Sequence, residues 1–274
     1  MSEDDPIKVA HEGISLVAEV IKAAGDNQQV KEAASNLGQT AVTLTKTINN
    51  VLVPLAAINF AFDKARIYFS GKFQQEIAEK AEAIPAEHIV EPKASIAGPT
   101  LQGLAFTHEE PNLKEMYLNL LATAMDGRAA NLAHPAFVEI IKQLDSEDAR
   151  LIREALQSPI ALPIVQIHRK LKGGTVYNLL VQHLLDLTDS TTGEPVEDPQ
   201  LPAMVDNWIR LGLIEVTYDK HLADLTKYLW VDLRPEYLRL SQNPQPDEAT
   251  VEYVKGILRR TELGKRFAKA IGLL

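Results

Sequence analysis

THEEPNLKEMYLNLLATAMDG, residues 107–127, is the stretch that decides the fold class. Leu113, Met116, Tyr117, Leu120, Leu121 and Ala124 recur at steps of three and four, which puts them on one face of a helix. Thr107 with Glu110 three residues on predicts a capping box, Pro111 fits the first turn, and Gly127 is a stop signal. The period continues outward. His134-Pro135 opens a helix with Phe137, Ile140, Ile141 and Leu144 inward, and Asp145–Asp148 caps another over Ala149–Leu156. Upstream, a helix from about Leu55 to Ala83 is interrupted near Ser70-Gly71. Pro85, Pro92 and Pro99 then punctuate a loop pinned by Ile89, Val90 and Ile96.

Nearer the N-terminus, Val30, Ala34, Leu37, Ala41, Leu44, Ile48, Val51 and Leu55 keep a strict seven-residue repeat. Its flanks are Gln, Thr, Ser and Asn, so little charge specifies a partner. Val30, Leu37, Leu44, Ile48 and Val51 form either a hairpin with the helix before them, a homo-oligomer seam or a lipid-contacting surface.

Beyond Pro159 and Pro163 the pattern changes. Short helices are expected at Pro163–Leu171, Val176–Leu187 and Pro202–Leu211, and Thr188–Gln200 is a polar loop. Leu213–Tyr218 and Lys227–Leu233 read as two strands, and Ala249–Ile271 as a terminal helix. The expected fold is mainly α: a helical bundle over 1–145 and a winged-helix-like α+β domain over 146–274, with one short β-hairpin entered through Trp208–Ile214.

The chain has 274 residues, no cysteine and a formal charge of −9, which excludes disulfides, thiolate nucleophiles and Cys–zinc sites. Residues 1–140 hold 11 basic and 18 acidic side chains, which disfavours phosphate contact there. The one basic run is terminal: Lys255, Arg259, Arg260, Lys265, Arg266 and Lys269 against Glu262. It reads as the solvated face of a core helix, a nucleic-acid phosphate contact or an anionic-lipid contact. Thr47–Phe62 is uncharged but holds Asn49, Asn50, Pro54 and Asn59, so it reads as a buried helix or an interfacial segment rather than a span. Without a secretory signature at Met1–Asp5, the expected compartment is the cytoplasm.

Nucleotide-binding glycine loops, zincin spacing, paired Glu-x-x-His and a serine elbow are all missing, so no cofactor or metal is expected. Arg128 and His134, with five residues between them, are similar to the Arg–His pair of helical toxin ribonucleases of the HEPN class, where His acts as acid or base and Arg steadies phosphate charge. The alternative is a solvated Arg128 and a capping His134. Glu109 and Glu110 suit a helix N-terminus; Glu115 and Asp126 lie off the apolar face.

Ile84–Pro92, Ile96–Pro99, Leu113–Asp126 and His134–Leu144 together resemble the Abi-alpha (abortive infection alpha) family of bacterial proteins. Glu115, Asn119, Asp126, His134, Pro135 and Phe137 belong to the matching blocks. The resemblance implies a part in defence against phage and supplies no catalytic residues. Three modes of action are compatible with it: association with a protein partner or a second copy, membrane damage, and an Arg128–His134 ribonuclease.

Overall fold

The computed structural model describes Gly38 and residues 61–171, 177–189, 191–243 and 249–274. The heptad residues Val30, Leu37, Leu44, Ile48 and Val51 lie outside the described residues. The chain divides into two units, residues 1–150 with 266–274, and residues 151–265. About half of the structure is helical and it carries a curled four-stranded antiparallel sheet, so the expected mainly α class is met in part.

The first unit contains α1 (Ala61–Ser70), α2 (Lys72–Ala81), α3 (Ala94–Thr107), α4 (Pro111–Met125), α5 (Pro135–Ile141) and the start of α6 (Ser146–Gln157). The break between α1 and α2 falls at Gly71, as expected. All six residues of the predicted α4 face are buried. Two expectations are corrected. Residues 94–107 are a helix, not a loop. Pro99 lies in its second turn and removes one backbone donor, while Ile96, Ala97, Thr100, Leu101, Leu104 and Ala105 bury its face. The capping box is also absent: Thr107 closes α3, its hydroxyl donating to the Gly103 carbonyl at 3.0 Å. Pro111 starts α4 with its preset φ, and no side chain caps that end. Gly103 lets α3 lie against α4, because a Cβ there would stand 2.4 Å from Cζ of Tyr117.

The second unit is built on β1 (Leu162–Lys170), β2 (Tyr177–Leu184), α7 (Leu201–Arg210), β3 (Ile214–Thr217), α8 (Pro235–Gln242) and β4 (Thr250–Arg260). The sheet order is β2-β1-β4-β3. The helix at Pro202–Leu211 and the strand within Leu213–Tyr218 are where the pattern puts them. The rest of the expected winged-helix domain needs correction. Where helices were expected at Pro163–Leu171 and Val176–Leu187 the chain forms β1 and β2, consistent with Ile164, Val165, Ile167 and Val181. Lys227–Leu233 lies in a 3₁₀-helix, Leu225–Leu233, whose buried Tyr228 and Val231 are three residues apart, the repeat of that helix. Four strands therefore replace the single hairpin. The terminal helix is confined to α9 (Glu262–Ala270), because β4 fills the gap between β1 and β3. Gly256 makes that close fit: a Cβ would meet Tyr218 Cδ1 at 2.5 Å and the Thr217 carbonyl at 2.7 Å.

Val165, Ile167, Leu184, Tyr228 and Val231 form one core cluster of this unit. Arg234, fully buried, pairs with Glu236 at 2.7 Å and donates to the Leu187 and Val196 carbonyls at 2.6 Å each. That fork holds the long loop before α7 without burying an unpaired charge.

Candidate functional site

α4 presents Asn119 and Thr123 one turn apart, and both side chains reach the end of α9. The Asn119 amide donates to the Ile271 carbonyl and the Thr123 hydroxyl to the Ala270 carbonyl, each at 2.9 Å. Gly272, at φ +71°, turns the chain so that Leu273 N–H bonds Ala268 O and Gly272 N–H bonds Lys269 O. This is a Schellman ending, and Phe267 O is taken by Ile271 N–H. Every carbonyl that a helix end leaves open thus has a partner. Phe137 and Phe267, both buried, meet edge to face at 5.5 Å. Glu115 pairs with Lys80 at 3.4 Å.

Just past the C-terminal end of α4, Asp126 turns back on the segment before α3. Val90 N–H bonds Met125 O, and Gly127 N–H bonds His88 O, both at 2.8 Å. Arg128 grips Asp126 with a two-pronged fork, Nε to Oδ1 at 2.9 Å and Nη2 to Oδ2 at 2.7 Å. The fork holds the Asp126 carboxyl below the usual range. His134 caps α5: its Nδ1 accepts from Ala136 N–H at 3.1 Å, and Pro135 takes the first turn. Arg128 and His134, paired in the ribonuclease reading, are thus both engaged in local structural bonds.

The basic run is divided at Thr261. On β4, Lys255 lies 5.1 Å from the Tyr253 ring centre, Arg259 pairs with Glu215, and Arg260 donates to the Leu156 carbonyl. Arg266 and Lys269, on α9, are exposed, and Lys265 is half-buried. The expected single basic helical face is therefore not formed. Among the described residues, no group of three or more His, Asp or Glu side chains is placed to hold a metal ion.

The blocks joined by these bonds, from the Ile84–Pro92 segment to the α9 end, lie within residues 65–271, which match the family model described as abortive infection alpha. The chain belongs to the abortive infection alpha family. No curated protein and no solved structure matches it. In this Abi-alpha chain the motif residues Asn119, Asp126, His134, Pro135 and Phe137 all have a fold-building contact.

The sequence reading missed the polar cluster around His183. Between the pairs Val165–Leu184 and Ile167–Val181, β2 carries one extra residue, a bulge at Gln182-His183. His183 has φ +55°, the one positive value outside glycine among the described residues. The bulge turns its imidazole inward, where Nδ1 is 2.9 Å from the Tyr218 hydroxyl and Nε2 is 3.2 Å from Oδ1 of Asp206. The side-chain amide nitrogen of Gln182 also stands 3.0 Å from Nε2, so that ring nitrogen faces both a carboxylate, which accepts, and an amide, which donates. Burial lowers the His183 pKa against the opposing pull of Asp206, and burial raises that of Tyr218. An activated tyrosine needs the reverse shifts. The cluster is a clasp: it ties β2 to the end of β3, the opposite edge of the curled sheet. A cavity of about 340 Å³ borders His183 beside Gln182, Asp198 and Arg239. A histidine 23 residues before Asp206 and 35 before Tyr218 leaves no spacing signal in the sequence.

Proposed function

We propose that this protein acts in bacterial defence against phage by abortive infection, and that it works in the cytoplasm through association with a protein partner or a second copy. The family match over residues 65–271 carries the defence setting. The engagement of Asp126, Arg128 and His134 in structural bonds favours association over a chemical step at the motif. The uncharged heptad surface through Val30, Leu37, Leu44, Ile48 and Val51 is the proposed seam. The second unit, with its helix–glycine–strand corner at Trp208–Ile214, is the proposed docking module.

The test is phage challenge of cells carrying the intact gene, Leu44→Glu, or Arg128→Ala with His134→Ala. Protection by the intact gene and by the double variant, lost with Leu44→Glu, is the expected result. No protection by the intact gene against any phage in a broad panel overturns the defence reading. Loss of protection and of RNA cleavage in the double variant, with its melting temperature unchanged, replaces association by nuclease action.

A further inference from the structure

Trp230 has a buried indole nitrogen with no hydrogen-bond acceptor. Buried indole N–H groups ordinarily have one, because an unmet donor carries its full desolvation cost. Trp230 lines a cavity of about 240 Å³ in the second unit. One water takes up only about 30 Å³ of liquid volume, so the space exceeds what a single solvent bridge needs. Leu162, Leu258 and Trp208 supply apolar wall, while Asp186, Glu154 and Lys227 supply charge. Burial raises the Asp186 pKa, so the surrounding protein has partly displaced its water.

These groups call for a small, largely apolar molecule with a hydrogen-bond acceptor for Trp230 and a donor for a carboxylate. The two acidic side chains against one lysine disfavour a phosphate inside the cavity, and the overall charge of −9 disfavours a polyanion around it. We propose that the Trp230 cavity binds an amino-bearing nucleobase, as the free base or nucleoside: the base offers a ring nitrogen to Trp230 and its amino group to Asp186. Adenine and cytosine have that adjacent acceptor and amino donor; uracil has no amino group. Sites for drug-sized ligands begin at about 300 Å³, so this cavity suits one base and not a dinucleotide. The proposal stands apart from the defence reading.

The chain has two tryptophans, and both line the cavity, so intrinsic fluorescence of the full-length protein reports on it directly. Adenosine, cytidine and uridine are each titrated to about 10 mM, a range that covers the weak affinity of so small a ligand. The expected result is a saturable change with adenosine or cytidine and at least fivefold weaker binding of uridine. Trp230→Phe keeps the ring, removes the N–H and leaves Trp208 as reporter; it should weaken binding about two- to tenfold. Asp186→Ala, outside the core, provides a second variant with the same expectation should Trp230→Phe fail to fold. No saturable signal with either amino nucleoside overturns the proposal. So does equal binding of uridine, or unchanged affinity in a folded Trp230→Phe protein. Binding of a single-stranded oligonucleotide without binding of nucleosides overturns it in favour of a nucleic-acid surface.

Discussion

His183 holds its imidazole neutral inside the protein, and that has a consequence for stability. Its folded-state pKa is lowered, by burial first, with Asp206 opposing. The unfolded chain therefore binds the proton more readily. Stability from this group is present above the unfolded value of about 6.5, falls as pH drops through it, and levels off below the folded pKa. His183→Asn removes the titration and keeps a residue suited to positive φ. Between about pH 7 and 5, the melting temperature of the variant should fall less steeply than that of the parent. Equal slopes would assign the titration elsewhere, for example to His168, also lowered by burial. Asn119 makes a simpler prediction. Asn119→Ala leaves the Ile271 carbonyl without its side-chain donor and should cost about 1–2 kcal/mol in urea unfolding. The histidine cap and the Pro135 start were readable from adjacent residues, because a cap is a local bond. The roles of His183 and Asn119 were not, since their partners are 35 and 152 positions away.

Among the elements, those with a helical face and nearby stops were legible: α4, α5 and α7 are where their spacing puts them. The elements that sequence reading misassigned depend on distant partners. β1 is flanked by β2 and β4, and β4 by β1 and β3, so ladder bonds from both sides hold them. Thr261 marks the change from strand to helix: its backbone N–H bonds Leu213 O, and its hydroxyl accepts from Gly264 N–H at 2.9 Å. Gly264 passes so close to the corner after α7 that a Cβ would lie 2.0 Å from the Leu213 carbonyl. That oxygen is already bonded to Thr261 and has little freedom to move. Gly264→Ala should cost about 3 kcal/mol or more. Gly193→Ala, with nothing within 4 Å and φ +72°, carries only backbone strain and should cost about 1 kcal/mol. Chemical denaturation of both proteins checks the contrast; equal losses would remove the steric account.

At the scale of the molecule, the heptad surface makes the association proposal measurable. Leu44→Glu puts a charge into the seam, so sedimentation should show a lower mass than for the parent chain. A parent that is already a strict monomer, unchanged by the substitution, would remove the seam. The sequence by itself determined the large helical share, the α4 face, the absence of Cys chemistry and membership of the abortive infection alpha family. Periodicity and family blocks are properties of neighbouring residues, and they survive in one dimension. Only the tertiary structure decided that Leu162–Lys170, Tyr177–Leu184 and Thr250–Arg260 are strands, that Asn119 and Thr123 close α9, and that His183 clasps two sheet edges. Strand pairing, shared carbonyls and glycine contacts join residues far apart in the chain, and their energies exist only once the chain has brought those residues together.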